Sequence, residues 1–259
     1  MVFAAGHWDE APRAAPAHPV DVRIVTWNTW FGKHRFEQRC DALLADLERR
    51  RPDVIALQEV TQELLAELLA APWIRAGYQI SERHVFGYSV ALLSRLPIRR
   101  LATLELPTEM GRRLLVAQLA CGLTIATVHL ESTREEARAR ARQLQLIQPA
   151  LARHADVVLV GDMNFAPGAP LETAALDPAL VDVWPVLHPE DPGYTVDAEI
   201  NTMRAEFDNE AARKRIDRMF LRSARWRPRS IERIGVAPID GDGTFTSDHF
   251  GLEATFITG

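Results

Sequence analysis

The chain has 259 residues, 47% of them hydrophobic and 25% charged, which is enough for one large domain with a sizeable core. A formal charge of −5 and a pI near 5.9 argue against a surface coated in positive charge for gripping duplex DNA. No apolar run nears the ~20 residues that span a bilayer, and residues 1–19 have neither the basic start nor the apolar segment of a secretory signal.

Residues 1–20, rich in Ala, Pro and His, read as a mobile tail, and 21–259 as a single domain. Residues 22–28 alternate polar and apolar and are rich in β-branched side chains, which predicts a strand ending on Asn28. Phe36, Cys40, Leu43, Leu44 and Leu47 recur at helical spacing, predicting a helix over 35–50 that Pro52 stops. Residues 54–60 are an apolar run, a buried strand that ends on the carboxylate of Glu59. Thr61 caps the next helix, which runs to about Ala70 with Leu64, Leu65, Leu68 and Leu69 inward. A strand over 88–94 follows, then a hairpin of 113–120 and 123–130 turning at Cys121-Gly122, whose second arm ends on His129. Ser132 with Glu135, and Thr133 with Glu136, each fit a capping box. They predict a helix from there to about Gln148, where Pro149 bends or ends it. The two cysteines, Cys40 and Cys121, are not paired by sequence and suit a reducing compartment, so the cytoplasm is expected.

Residues 157–160 form a further buried strand, which stops at Gly161, Asp162 and Asn164. Strand alternation would put Asp162 and Asn164 on one face, and glycine at 161 would admit a close backbone or ligand. Taken alone, the segment also reads as a strand end followed by an Asp/Asn turn. Residues 166–209 are loop-rich. Residues 215–221 predict a strand with Asp217 inside it, and a buried aspartate needs a partner: His249, or Arg215 or Arg218. Ser247-Asp248-His249 precedes a strand over 250–256. Between 213 and 233 nine Arg and Lys residues face only Asp217 and Glu232, a local patch suited to a polyanion. The basic residues of 134–142 read as a solvated helix face.

Strands and helices interleave, with hairpins added, so the fold class is mixed α/β. The strands end on Asn28, Glu59, His129, Asp162 with Asn164, and Asp248-His249. Carboxylate, carboxamide and imidazole gathered at the ends of rigid elements have the makings of a catalytic site.

Thr26-Trp27-Asn28, Leu57-Gln58-Glu59-Val60, Val128-His129-Leu130-Glu131, Gly161-Asp162-Met163-Asn164 and Ser247-Asp248-His249, in that order, resemble the endonuclease/exonuclease/phosphatase superfamily of metal-dependent phosphodiesterases. The resemblance implies a four-layer α/β sandwich, two packed mixed β-sheets flanked by helices, with 21–259 as its catalytic domain. Other segments are similar to the branch that acts on tyrosine linked to DNA 5′ ends. These are His129 to Arg134, Val181 to Trp184, Tyr194 to Asp197 with Asn201, Arg215 to Arg218, 108–115 with Arg112, and Ser247 to Leu252. Val196 stands where that branch carries a tryptophan that walls the DNA groove, and Ala166-Pro167 replaces an Arg-Asp pair.

Glu59 offers a hard oxygen ligand suited to Mg²⁺, with Mn²⁺ as substitute, and Asn28 and Asp248 would complete the metal's shell. Asp162 is the candidate base for the attacking water, and Asn164 would donate its amide to phosphate and nucleophile. His249, kept protonated by Asp217, would face a non-bridging oxygen, with His129 on the opposite side. Ser132 would bond phosphate or cap a helix whose positive end points at the site. Arg112 and Arg215 are candidates for contacting the nucleic-acid backbone. The resemblance adds Asn201 and Ile216 as substrate contacts. Trp184 reads as core. A phenolate with a pKa near 10 leaves with little help, in keeping with release of tyrosine from a DNA 5′-phosphate, a repair reaction. Another nuclease, or a small-phosphodiester, phospholipid or inositol-phosphate hydrolase, is the alternative, and a non-catalytic nucleic-acid-binding module ranks last. The expected partner is a DNA 5′ end with a phosphotyrosyl adduct, approached by a monomer without a membrane.

Overall fold

The computed structural model describes residues 1–4, 7–9, 19–207 and 209–259. Of the expected mobile tail, residues 5–6 and 10–18 lie outside the described residues. Val2–Ala4 pairs with His7–Asp9, and Met1 exchanges backbone hydrogen bonds with Ile80, so the first residues attach to a sheet edge.

Two six-stranded mixed sheets form the centre. The first runs in the order Trp226–Ile234, Gly251–Thr258, Asp21–Asn28, Val54–Thr61, Tyr88–Ser94, Gln79–Ile80. The second runs Val181–Asp182, Asp217–Arg222, Val157–Asp162, Thr124–His129, Arg113–Leu119, Ile98–Glu105. Each sheet holds one parallel pair at its centre: Asp21–Asn28 beside Val54–Thr61, and Thr124–His129 beside Val157–Asp162. All other pairings within the two sheets are antiparallel.

Alternating side chains give each sheet two apolar faces. The inner faces meet in a core that includes Ile24, Val54, Leu115, Ile125, Val158, Met219, Leu252 and Phe256. The outer face of the first sheet packs under helices Phe36–Arg50, Gln62–Ala70 and Pro72–Gly77 through Trp27, Leu47, Leu57, Leu65 and Ile74. That of the second packs against Ala137–Ala152 through Leu144, Ile147, Leu159 and Phe220. The result is the four-layer sandwich. Thr61 accepts from the Leu64 amide at the start of its helix, as the sequence predicts.

Several expectations fail locally. The helix expected from Ser132 or Thr133 begins at Ala137, and Thr133 turns the chain at φ +67°. The Arg140 guanidinium reaches back to the carbonyls of Glu131 and Thr133 and fixes that turn, while Ser132 is held by other side chains. The helix also runs past the exposed Pro149 to Ala152, since one lost hydrogen bond near a helix end is tolerable. No helix dipole therefore starts at Ser132. Arg140 is buried and paired with Glu172, so the 134–142 run is not a uniformly solvated face. The strand over 215–221 splits into Arg213–Lys214 and Asp217–Arg222. The loop-rich 166–209 contains three short helices, Pro170–Ala175, Val183–Leu187 and Met203–Phe207. Trp184 is core, as its size suggests.

Candidate active site

Both parallel pairs run in one direction relative to the site, and their C-terminal ends supply Asn28, Glu59, His129 and Asp162. Asp217 opens its strand opposite Asp162, and Asp248-His249 lies just before Gly251–Thr258. Local backbone features aim these side chains. Gly161 has φ +136°, and a Cβ there would sit 1.9 Å from the Val128 carbonyl oxygen. Only glycine lets that strand approach its neighbour so closely, and Asp162 then comes opposite His129. A bulge interrupts Val54–Thr61 between Leu57 and Val60 and holds Glu59 at φ +57°, a costly conformation for a glutamate.

Asn28 joins the two sheets. Its amide nitrogen donates to Glu59 Oε1 (3.1 Å) and to Asp162 Oδ2 (3.0 Å), while its Oδ1 accepts from the Trp30 amide. Asn28 thus offers N–H groups to the acids, so it orients them instead of ligating a metal through its carbonyl. Glu59 Oε2 accepts from the Phe31 amide. Burial first, and then the charge of Asp248, push the Glu59 carboxyl up to about 7. Two crowded, desolvated carboxylates favour a cation between them.

Asp162 Oδ1 accepts from the Asn164 amide (2.8 Å), and Oδ2 lies 3.4 Å from His129 Nε2. The strand ends at Asp162, and Asn164 stands in a left-handed turn at φ +53°. The turn, not strand alternation, brings the two together. Asn164 Nδ2 donates to the Leu130 carbonyl and to Ser132 Oγ, so its amide hydrogens are taken within the protein and not offered to phosphate. Ser132 Oγ accepts from Asn164 and from Arg112 Nη2, leaving its own hydrogen for a ligand.

Arg112 is buried. Its Nη1 donates to His129 Nδ1 (2.9 Å), so it positions that imidazole and is turned inward, away from the nucleic-acid contact expected of it. Guanidinium cannot accept, which places the His129 proton on Nε2, facing Asp162 and Glu59. Burial pushes His129 down to about 3, with Asp162 opposing and Arg112 reinforcing the fall, so the ring is neutral.

His249 Nδ1 donates to Asp217 Oδ2 (2.8 Å). Arg215 and Arg218 both bind Asp182 instead, which leaves Asp217 to the histidine. Among the described residues, none hydrogen-bonds the buried Asp217 Oδ1. Burial would lower the His249 pKa, but Asp217 and Asp248 outweigh it and raise it to about 10. The arrangement is nonetheless that of a neutral ring, against the expectation of a protonated His249, since Arg204 Nη1 donates to Nε2 at 2.6 Å and two N–H groups would collide there. Arg204 had no sequence signal: it lies in the irregular stretch, in no motif.

Ser247 Oγ donates to the Asn28 carbonyl (2.6 Å), tying the Asp248-His249 loop to the first sheet. The buried Asn201 donates to the Ser247 carbonyl (2.8 Å), so it braces that loop and is no substrate contact. Arg39, also unforeseen, pins the 29–34 loop through the carbonyls of Thr29, Trp30, Gly32 and His34. Ile216 lines a cavity of about 620 Å³ with Asn164, Phe165, Arg134, Arg204 and Lys214. Val196 is buried and pairs with Lys214, so that position does not wall the cavity. Asp162, Asp217 and His249 bring ligand atoms within 4.8 Å of one another. The His249–Asp217 hydrogen bond already occupies that cluster, and Glu59 with Asp248 offers the harder oxygen set.

Most cations of the basic 213–233 segment are paired, while Arg227 and Arg229 are exposed. Arg213 binds Asp197 and Glu199, Lys214 binds Glu210, and Arg215 and Arg218 share Asp182. Arg222 binds Asp177, and Arg225 lies 3.5 Å from Asp156. Acids mostly from distant segments offset much of its charge, and a linear reading of charge misses them. Arg215 is buried and has no free face for a backbone phosphate.

The family profile of Endonuclease/Exonuclease/phosphatase proteins matches residues 25–249. Tyrosyl-DNA phosphodiesterase 2 of Gallus gallus is 30% identical over 250 residues, covering 90% of this chain and 66% of that protein. The Homo sapiens protein of that name is 31% identical over 245 residues, covering 88% and 66%. The chain thus spans just under two thirds of the length of these curated relatives. The crystal structure of D. rerio TDP2 complexed with single strand DNA product superposes with a TM-score of 0.81 at 26% identity, covering 92% of this chain and 99% of that one. Among the described residues, no helix is long and apolar enough to cross a membrane.

Proposed function

This chain belongs to the endonuclease/exonuclease/phosphatase family, and from that premise we propose that it is a Mg²⁺-dependent phosphodiesterase that frees tyrosine from a DNA 5′-phosphate. The observation that carries the reading is the convergence of Asn28, Glu59, His129, Asp162 and the Asp217–His249 pair at one end of two sheets. The similarity to tyrosyl-DNA phosphodiesterase 2 supports this substrate over other phosphodiesters.

The donor set fits a hard divalent cation. Mg²⁺, or Mn²⁺ in its place, would be held by Glu59 and Asp248 and would offset charge on a phosphate oxygen and on the leaving phenolate. Asp162, buried and oriented through both oxygens, accepts the proton of the attacking water. His129, neutral with hydrogen on Nε2, donates to a non-bridging oxygen, and Ser132 Oγ–H donates beside it. Asp217 fixes the orientation of the His249 ring at the edge of the same site. Two buried free cysteines support a reducing cytoplasm.

The test is direct. With Mg²⁺, an oligonucleotide bearing a 5′-phosphotyrosine should yield tyrosine and a 5′-phosphate, and EDTA should stop the reaction. Incision of an abasic-site oligonucleotide alone would overturn the substrate assignment.

A further inference from the structure

A cation that the scheme above does not use points into the acidic centre. Arg204 lies on the short helix Met203–Phe207, and its side chain is mostly buried. Nε donates to Glu210 Oε2 (2.7 Å), and Glu210 also binds Lys214, so the guanidinium is gripped from behind. Nη1 donates to His249 Nε2 at 2.6 Å and stands 3.8 Å from Asp248 Oδ2. Nη2 makes no hydrogen bond among the described residues, and Arg204 lines the 620 Å³ cavity that reaches Asn164.

The mounting is rigid. Asn201 Oδ1 accepts from the Met203 amide while its Nδ2 holds the Ser247 carbonyl. One side chain therefore clamps the helix carrying Arg204 to the loop carrying Asp248 and His249. Phe207 packs on Trp30 at 5.3 Å between ring centroids, fixing the far end of the helix over the loop after Asn28.

A neutral imidazole nitrogen is a weak partner for a guanidinium. An anionic oxygen entering the same space is a stronger one, and the planar fork can take two such oxygens at once. We propose that Arg204 is a further catalytic residue, which leaves His249 Nε2 when substrate binds and takes non-bridging oxygens of the scissile phosphate. In the free protein it is the built-in counter-cation of the carboxylate cluster. The inference rests on the phosphodiesterase reading. In the step it assists, water oxygen bonds to phosphorus, the phosphorus–tyrosine oxygen bond breaks, and Asp162 takes the water's proton. Arg204 contributes hydrogen bonds only, and no proton moves through it.

The experiment separates this role from the substrate assignment. In EDTA, the wild-type protein should bind a 5′-phosphorylated oligonucleotide more tightly than its 5′-hydroxyl counterpart, by fluorescence anisotropy. Arg204→Met should erase that preference, and Arg204→Lys should restore part of it. With Mg²⁺ and the phosphotyrosyl substrate, Arg204→Met should lower kcat about 100-fold, the effect of losing one transition-state donor. Arg204→Met should also bind Mn²⁺ alone more tightly by electron paramagnetic resonance, because a competing cation is gone. An unchanged 5′-phosphate preference in Arg204→Met, or none in the wild type, overturns the proposal. Failure of the wild type to release tyrosine overturns the substrate assignment instead, and the binding comparison still decides the role of Arg204.

Discussion

Asp217 illustrates how much rests on a single buried group. Its Oδ2 fixes His249 through Nδ1, and none of the described residues hydrogen-bonds its Oδ1. A buried carboxylate held against one imidazole nitrogen fixes both the tautomer and the orientation of the ring. Asp217→Asn keeps the shape but turns an amide toward Nδ1, favouring the wrong tautomer. We expect kcat to fall by roughly 10³-fold or more with little change in KM. A matching loss in KM alone would mean that the pair serves binding, not turnover. At this scale the sequence was informative where residues sat in compact motifs. Glu59 and Asp162 could be named because they end apolar runs, and His249 because Ser247-Asp248-His249 stands just before one. Arg112 could be named but not understood, since nothing in a linear chain links it to His129. Arg204 could not be named at all, because its partners Glu210, Asp248 and His249 meet it only in three dimensions.

Elements were legible in proportion to their periodicity. The helix Phe36–Arg50 and the strands Val54–Thr61 and Val157–Asp162 carry strong apolar patterns and lie close to where the sequence puts them. The strands Ile98–Glu105 and Trp226–Ile234 were missed. Both are edges, the first largely exposed and the second broken by Pro228 and a register shift, so neither alternates clearly. The capping-box signal at Ser132 and Thr133 failed because tertiary bonds from Arg112, Asn164 and Arg140 claimed that turn first. The short helix Pro72–Gly77 offers a test at this scale. Tyr78 follows it, buried, and its hydroxyl donates to the Pro52 carbonyl at 2.6 Å. Burial pushes the phenol up to about 12, with Arg95 opposing and Asp53 reinforcing. The neutral phenol is the folded form, so its stabilisation is complete below pH 10 and is lost as pH rises through about 12. The thermal midpoint of the wild type should therefore fall more steeply from pH 10 to 12 than that of Tyr78→Phe. Parallel curves would show that the phenol does not anchor the helix.

At the scale of the whole molecule, charge is arranged inwardly. Most arginines of 213–233 are met by acids from 156–199, and the net charge stays negative. Few cations face the cavity by the site, chiefly Arg134, Arg204 and Lys214. Affinity for a single-stranded 5′-phosphorylated oligonucleotide should then depend weakly on salt. A slope of log K against log[salt] of about −2 is expected from two to three phosphate contacts. A slope steeper than about −5 would point to a long basic track that the fold does not display. The four-layer architecture itself was legible through the order of the motifs, whereas the partial neutralisation of the basic segment was not, because it depends on segments distant in sequence.

Trp27 donates its indole N–H to the carbonyl of His249, 222 residues away, and Gly251–Thr258 is inserted directly beside Asp21–Asn28. An early strand of the chain must therefore wait for one of the latest before its sheet can close. Translation proceeds at about 5–20 residues per second, so this wait lasts on the order of ten seconds or more. During that interval Asn28 and Glu59 have no Asp248 or His249 beside them. The proposed site is therefore incomplete until that strand docks, and its parts then come together in one step.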